Sequence, residues 1–463
     1  MGATRFSPRI FWLILADAAI LYVGVILAMY LRLGFAGSEY ELNSKNGWLK
    51  IALASAVCLL ILYFYDLYDY IVMTNRRELL LRLVQALGIA WVLLAMLFYF
   101  VPQLLIGRGV SVISVPIVLA LLLGWRICIH LLTGHPEIGE KILVVGTGQT
   151  ALDTAEAVWE RRDAGYRIVG FVSENGAKPK EKLGRSEILG RAIDLEGIIR
   201  DEKIDRVVIA VRERRGAFPT EALLKMSLAG DVSIEECTSF FERITGKVHV
   251  DMLRPSWLIF AGRRRDSPIR SVIREITHRL LALIGLVFSL PVALLTAIVI
   301  KLESRGPVFY KQERIGRNGR LFDVIKFRSM NIDAEADGKP IWAASNDERT
   351  TRVGRVIRKL RIDEIPQFWN IIKGEMNFVG PRPERPHFVR QLATEIPFYE
   401  HRHLVAPGLT GWAQIKYPYG ASVSDAIQKL QYDLYYIKNQ SLALDMMIVF
   451  DTVKTVLFGK GGR

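Results

Sequence analysis

Hydrophobic positions in this chain fall into long unbroken blocks before they take on any helical or strand period. Four such runs, roughly Ile10 to Leu31, Trp48 to Leu67, Val84 to Ile106 and Gly109 to Leu132, fill the first 132 residues. Each matches the ~20 residues of helix that cross a hydrocarbon layer, which predicts four transmembrane helices over residues 1–135. The first run lacks a small-residue cleavage site and exceeds a signal peptide in length, so it is expected to stay in the mature chain. From Lys141 the pattern changes to strand, glycine turn and helix. Ile142 to Val145 is β-branched, Gly146-Thr147-Gly148-Gln149-Thr150-Ala151 follows, and Ala151 to Arg162 has helical spacing. Strand-like Arg167 to Val172, helix-like Leu195 to Glu202, strand-like Asp205 to Val211 and helix-like Thr220 to Leu228 continue the alternation, predicting a Rossmann-like α/β domain over 136–255. A fifth apolar run, Leu280 to Ile300, opens the remainder, 256–463, where polar clusters and short apolar fragments interleave. The fold class is therefore membrane α plus α/β, with a last domain that is mostly α and leans on the membrane.

Charge at the ends of the runs orients them. Arg5 and Arg9 precede the first, Arg76, Arg77 and Arg82 follow the second, and the chain after the fourth is strongly basic, so the N-terminus and everything past Leu132 are expected on the cytoplasmic face. The fifth run is basic on both sides: Arg263, Arg264, Arg265, Arg270, Arg274 and Arg279 before it, Lys301, Arg305, Lys311, Arg314, Arg317 and Arg320 after it. Pro291 at its middle removes a backbone donor and crowds the preceding turn. Two half-length segments that enter and leave one face, a re-entrant helix over 277–301, satisfy both observations. Asp17 and Arg126 lie inside runs one and four; the packing reading of such charges is preferred here to a functional one.

At 463 residues the chain has room for about three domains. Its 51% hydrophobic content excludes a disordered tail, a collagen or a disulfide scaffold. Sixty-one Lys and Arg against 47 Asp and Glu give +14, which points to an anionic partner: a phospholipid surface, a nucleic acid or a phosphorylated substrate. No nucleic-acid module signature is present. Cys58, Cys128 and Cys237 have no metal-site spacing. Gly146 and Gly148 are the candidate cofactor contacts of the α/β domain, but the acid expected ~20 positions on is not well placed, Glu174 coming late. An empty, regulatory or dimerising α/β unit weighs as much there as one loaded with a dinucleotide. None of the 16 tyrosines has Lys four positions later, which removes the catalytic base of a short-chain oxidoreductase or dehydratase.

The candidate chemistry lies after the fifth run, in Gly306-Pro307-Val308-Phe309-Tyr310-Lys311-Gln312-Glu313-Arg314-Ile315-Gly316, Lys326-Phe327-Arg328-Ser329-Met330, Arg358 to Gln367, Phe378 to Glu384 and Pro407 to Gln414. Asp363 reads as the start of a helix, with Pro366 in its first turn and Gly374 closing it. A plain N-cap is one reading of Asp363. The other is a carboxylate that accepts a phosphoryl group in the field of the helix terminus and of Arg358 and Arg361, with Glu364 holding a Mg²⁺. Pro381-Arg382-Pro383 holds an arginine between two restricted residues, as a rigid phosphate fork or a surface turn. Lys326 and Arg328 are further phosphate candidates.

These motifs, from about Arg270 to Phe458, resemble the bacterial polyprenyl-phosphate sugar-phosphate transferases, the monotopic phosphoglycosyl transferases. The N-terminal helices and α/β segment resemble the larger, exopolysaccharide-type members, and Tyr432-Asp433-Leu434-Tyr435-Tyr436-Ile437-Lys438-Asn439 the exosortase-associated branch. The resemblance implies transfer of a sugar-1-phosphate from a UDP-sugar to polyprenyl (undecaprenyl) phosphate with release of UMP, at the cytoplasmic face of a bacterial inner membrane. It implies Asp363 as nucleophile, Glu364 as Mg²⁺ ligand, Arg358 and Arg382 as phosphate contacts and Pro291 as the helix break. The family's Ser-Pro pair at the break is here Leu290-Pro291, and its acid near the start of that helix is replaced by the Thr277-His278 region. The α/β domain, without an evident catalytic group, offers a surface for a homodimer. The rival class is a membrane-anchored, nucleotide-sensing regulator or scaffold of polysaccharide synthesis.

Overall fold

The structure, a computed structural model, describes residues 8–65, 67–68, 76–133, 140–161, 165–174, 181–211, 223, 226, 229–230, 232–250, 268–331, 349–417, 420 and 422–457. Arg5, Arg263, Arg264 and Arg265 and most of the helix expected over 220–228 lie outside the described residues. The chain divides into two compact units, one ending at Ile234 and one beginning at Glu235.

In the first unit four helices, α1 (Pro8–Ser44), α2 (Gly47–Phe64), α3 (Arg76–Phe100) and α4 (Arg108–Thr133), follow the four apolar runs. All four are long and apolar enough to cross a membrane. The helical path of α1 breaks at Gly34, whose φ of 67° is open to glycine without a Cβ penalty, just beyond the end of the first run. Leu21, Leu62, Leu83 and Leu122 pack together in one part of the bundle and Met29, Ile51 and Val110 in another. Asp17 and Arg126 meet across α1 and α4, Arg126 Nη2 donating to Asp17 Oδ2 at 2.6 Å with both side chains buried, and the guanidinium lies over the Tyr68 ring. The two charges found inside runs one and four thus pair with each other inside the bundle.

The sheet that follows comprises β1 (Glu140–Val145), β2 (Tyr166–Ser173), β3 (Lys182–Leu183), β4 (Ser186–Arg191), β5 (Arg206–Ile209) and β6 (Ser233–Glu236), ordered β3-β4-β2-β1-β5-β6, with helices α5 (Gln149–Glu160) and α6 (Leu195–Glu202) between strands. The β4-β2-β1-β5 pairs are parallel and β3 is antiparallel to β4, so the sheet is mixed. Ile142 to Val145 are fully buried, as a β-branched run in the middle of a parallel sheet should be.

The second unit contains α7 (Cys237–Thr245), α8 (Pro268–Glu303), β7 (Phe309–Ile315), β8 (Leu321–Phe327), α9 (Arg352–Lys359), α10 (Gln367–Lys373), β9 (Asn377–Val379), α11 (Pro386–Glu395), β10 (Gly408–Thr410), α12 (Trp412–Lys416), α13 (Val423–Lys438) and α14 (Leu442–Leu457). Val248 and Val250, assigned from the sequence to the end of the α/β domain, pack here with Trp412, Leu430 and Leu434, and Trp412 Nε1 donates to the Gly246 carbonyl. The packing boundary therefore falls some twenty residues earlier than the 255/256 division.

The helix expected as two half-length segments is a single 36-residue helical element, α8, with Pro291 inside it, about 54 Å long at 1.5 Å per residue. Both halves lie against this one unit. Ala282 packs with Val324, Ile371 and Met376, and Ile300 with Phe327 and Ile357. The ends are tied as well. Near the start, His278 Nε2 lies 3.3 Å and Arg274 Nε 3.9 Å from Asp445 Oδ2 of α14. At the far end Glu303 Oε1 accepts the Val353 N–H. At the Thr277-His278 region, where the sequence lacks the family's acid, α8 thus presents bases to an acid of α14. Away from the unit, α8 exposes apolar side chains from Ile269 to Leu302, with Phe288 and Leu302 each 81% exposed.

Candidate active site

Two residues beyond α9, Arg361 adopts the left-handed conformation, φ 59°, an uncommon backbone for a residue with a side chain. It turns the chain into a 3-10 turn over Ile362–Glu364, closed by Glu364 N–H to Arg361 O and Ile365 N–H to Ile362 O. Asp363 and Glu364 are both buried on this turn. The expected helix starting at Asp363 instead begins at Gln367 with Pro366 as its N-cap, and Gly374 closes it. The field acting on the two acids therefore comes from side chains rather than from a helix terminus.

Arg382 Nη2 donates to Glu364 Oε1 at 2.9 Å, Arg361 Nη1 lies 3.4 Å from the same oxygen, and Lys326 Nζ 3.7 Å. Burial alone would raise the Glu364 carboxyl, but these three cations and the Arg382 hydrogen bond outweigh it and hold the group well below the ordinary carboxylate range. Asp363 responds the other way. Burial, and then the charge of Glu364, push it up to about 6 against the pull of Lys326, Arg382 and Arg361. Adjacent carboxyls in one pocket thus take different proton affinities, the usual sign that they divide a task.

Arg382 is set in place through its backbone. Glycines let β9 and β10 approach: a Cβ on Gly408 would lie 2.0 Å from the Gly380 nitrogen, closer than any side chain allows. Gly408 N–H then donates to Pro381 O, Arg402 Nη2 to Arg382 O at 3.0 Å and Arg314 Nη1 to Pro383 O at 3.0 Å. Each carbonyl of Pro381-Arg382-Pro383 has a donor, so the guanidinium is presented on a rigid mount. Arg402 is itself buried, with Nη1 on the Tyr399 hydroxyl at 2.7 Å and Nη2 on Asp433 Oδ2 at 2.9 Å.

A cleft of about 300 Å³ opens beside the dyad. Arg314, Lys326, Arg358, Arg361, Arg382, Arg402 and Lys429 outnumber Asp363, Glu364, Glu384 and Asp433 along its wall, so it favours an anion. Of the residues singled out in the sequence, Lys326, Arg358, Arg361, Asp363, Glu364 and Arg382 come together here. Arg358 also donates to Thr350 Oγ1. Arg328 does not join them: its guanidinium is buried and donates to the Ser304 and Arg305 carbonyls just past α8, bracing that turn. Pro291 is in α8. Gly146 and Gly148 belong to the first unit, where Gly146 has φ 122° and Gly148 caps α5 without a side-chain bond, and Glu174 is exposed. Arg314, Arg402, Lys429 and Asp433 were not picked out as site residues. Arg314 and Asp433 carried a signal, inside the Gly306 to Gly316 and Tyr432 to Asn439 segments; Arg402 and Lys429 carried none.

Among the described residues no three acidic, His or Cys side chains gather as a metal cage. Two adjacent carboxylates still suit Mg²⁺, which is commonly held by one or two carboxylates and completes its shell with substrate phosphates and water.

A family model described as bacterial sugar transferase matches residues 269–459, the span that builds this cleft. A UDP-glucose:undecaprenyl-phosphate glucose-1-phosphate transferase of Caulobacter vibrioides is 37% identical over 202 residues, 42% of this chain and 74% of the relative. The chain belongs to the bacterial sugar transferase family. A UDP-N-acetylgalactosamine-undecaprenyl-phosphate N-acetylgalactosaminephosphotransferase of Aeromonas hydrophila is 44% identical over 261 residues, covering 56% of this chain and 61% of the relative. An undecaprenyl-phosphate glucose phosphotransferase of Komagataeibacter xylinus is 33% identical over 349 residues, covering 72% and 62%. The chain thus spans about three fifths of the length of these two relatives. A second family model, described as a CoA-binding domain, matches residues 63–217, which take in α3, α4 and the sheet through β5.

Proposed function

We propose that this protein transfers a sugar-1-phosphate from a UDP-sugar to polyprenyl phosphate, as a first membrane step of exopolysaccharide synthesis, in two displacements at phosphorus. In the first, an Asp363 carboxylate oxygen bonds to the sugar-bearing phosphorus, the bond to the bridging oxygen breaks, and UMP leaves with that oxygen. In the second, a phosphate oxygen of the polyprenyl acceptor attacks the same phosphorus and the Asp363 carboxylate is released. The observation that carries this reading is the dyad itself: Glu364 is locked by three cations, while Asp363 is the more basic carboxylate and faces a cationic cleft. Arg382, Arg358, Arg361 and Lys326 bind the diphosphate charge. Glu364, with oxygens of the donor, would hold Mg²⁺, which supplies charge neutralisation at the diphosphate when bound.

We read α8 as re-entrant, entering and leaving at the cytoplasmic face of a bacterial inner membrane. Both of its ends are tied to residues of one folded unit, and a helix that delivered one end across the bilayer would have to carry part of that unit with it. Such a mount keeps a water-facing cleft at the head-group plane, where a cytosolic nucleotide and a lipid phosphate can both arrive. The helices α1 to α4 are read as a multi-pass anchor. A dinucleotide in the α/β unit and a homodimer remain separate proposals, without a role in this chemistry.

Mixing the protein with UDP-sugars, Mg²⁺ and polyprenyl phosphate is expected to release UMP, with EDTA suppressing the reaction; no UMP from any UDP-sugar would refute the assignment. The nucleophile must be ionised to attack, so turnover should fall as pH drops through about 6, the region to which Asp363 is raised. Glu364 stays charged over that range. Lys326→Met removes a cation that lowers Asp363, so the acidic limb of the pH–rate profile should move to higher pH.

A further inference from the structure

The helical bundle of the first unit has a partly open cavity of about 640 Å³ that the proposed chemistry does not use, within the range typical of ligand pockets. Its wall is apolar and drawn from all four helices, Val25, Leu87, Leu94, Phe98 and Val118 among them. Leu21, one of its wall residues, packs with Leu62, Leu83 and Leu122.

Two polar observations say what fills it. Ser55 lines the cavity, is only 6% exposed, and its hydroxyl has no hydrogen-bond partner. The neighbouring Ser111 and Ser114 hydroxyls, by contrast, bond to backbone carbonyls of their own helix turn. Arg108 also lines the cavity, and two more cations converge on the chain around it. Lys50 Nζ donates to Leu105 O at 3.2 Å, and Arg32 Nε lies 2.7 Å from where a Cβ on Gly109 would be. Among the described residues lining the cavity there is no carboxylate.

We propose that this cavity is a binding site for one anionic phospholipid, with an acyl chain among the helices, the phosphate at Arg108, Lys50 and Arg32, and an ester carbonyl accepting from Ser55. A lipid suits it better than a soluble ligand because the walls belong to helices long and apolar enough to cross a membrane. An anionic lipid suits it better than a zwitterionic one because Arg108 lines the cavity and Lys50 of α2 and Arg32 of α1 reach the chain on either side of it, at Leu105 and Gly109. The spacing agrees: Ser55 lies five residues beyond Lys50 on α2, about 8 Å deeper at 1.5 Å per residue.

The full chain, reconstituted with equal phosphatidylglycerol and phosphatidylcholine and then examined by native mass spectrometry in detergent, should retain one phosphatidylglycerol in preference to phosphatidylcholine. Arg108→Glu should reduce that retention at least tenfold and leave phosphatidylcholine unchanged. Leu94→Trp, which fills the cavity, should abolish retention of both. A measurement on the unaltered cavity guards against a misfolded variant: brominated phosphatidylglycerol should quench Trp91, a wall residue, and that component should vanish in Trp91→Phe. Equal retention of the two lipids, no effect of Arg108→Glu, or no quenching assigned to Trp91 would each overturn the proposal. None of these readings depends on UMP release, so they stand or fall apart from the transferase reading.

Discussion

Asp363→Asn is expected to lose both sugar-phosphate labelling of the protein and UMP release by at least about a thousandfold, the scale on which removal of a covalent nucleophile acts. The substitution preserves size and leaves an amide, which does not displace a phosphoric anhydride. Its neighbour is a poor substitute. Glu364 Oε1 is held by Arg382, Arg361 and Lys326, which orients that carboxylate and makes it a weaker nucleophile toward phosphorus than Asp363. The variant should remain folded, because burial pushes the Asp363 carboxyl up and a neutral group there relieves repulsion with Glu364. The check is a label on the sugar phosphate of the donor, followed onto the protein after denaturation, alongside UMP release and the unfolding temperature in detergent. Unchanged turnover in a folded Asp363→Asn protein would remove the nucleophile assignment.

The second large effect is expected at Arg402, which touches no reacting atom in this proposal but sets the position of Arg382 through its carbonyl. Arg402→Met leaves Asp433 buried without its cation and also strips a donor from the Tyr399 hydroxyl and the Arg382 carbonyl. Breaking a buried pair from one side costs about 3–5 kcal/mol, so the unfolding midpoint should drop clearly. Pairing it with Asp433→Leu should recover most of that stability, since two apolar groups replace two charges. Turnover should not return with it. Without the Arg402 bond the Arg382 fork loses its mount, and misplaced phosphate binding should appear in kcat as well as KM. If the stabilised double variant regained full turnover, Arg402 would be structural only.

Much of the membrane architecture could be read along the chain, because a helix in hydrocarbon must be apolar over its whole length and that demand is local. The runs ending near Leu31 and Leu132 correspond to α1 up to its break at Gly34 and to α4. The glycine turn after Val145 and the parallel strands around it follow from a similarly local code. The dyad and the Pro381-Arg382-Pro383 segment were legible for another reason: their residues are adjacent in sequence, so their chemistry is written in one place.

Charges that choose partners far along the chain could not be read in this way. Arg328 looked like a phosphate ligand, yet it braces Ser304 and Arg305. Arg402 finds Asp433 across 31 positions, and His278 finds Asp445 across a still longer stretch. By itself the sequence determined where apolar helices lie, where the acids and the proline-flanked arginine stand, and that the chain carries excess positive charge. Only the tertiary structure decided that Arg361 turns left-handed, that α8 is one element held at both ends, and which cations lock Glu364 so that Asp363 differs from it. The physical reason is range: hydrophobic period and turn chemistry act over a few residues, whereas ion pairing and burial depend on which distant segments the folded chain brings within about 4 Å.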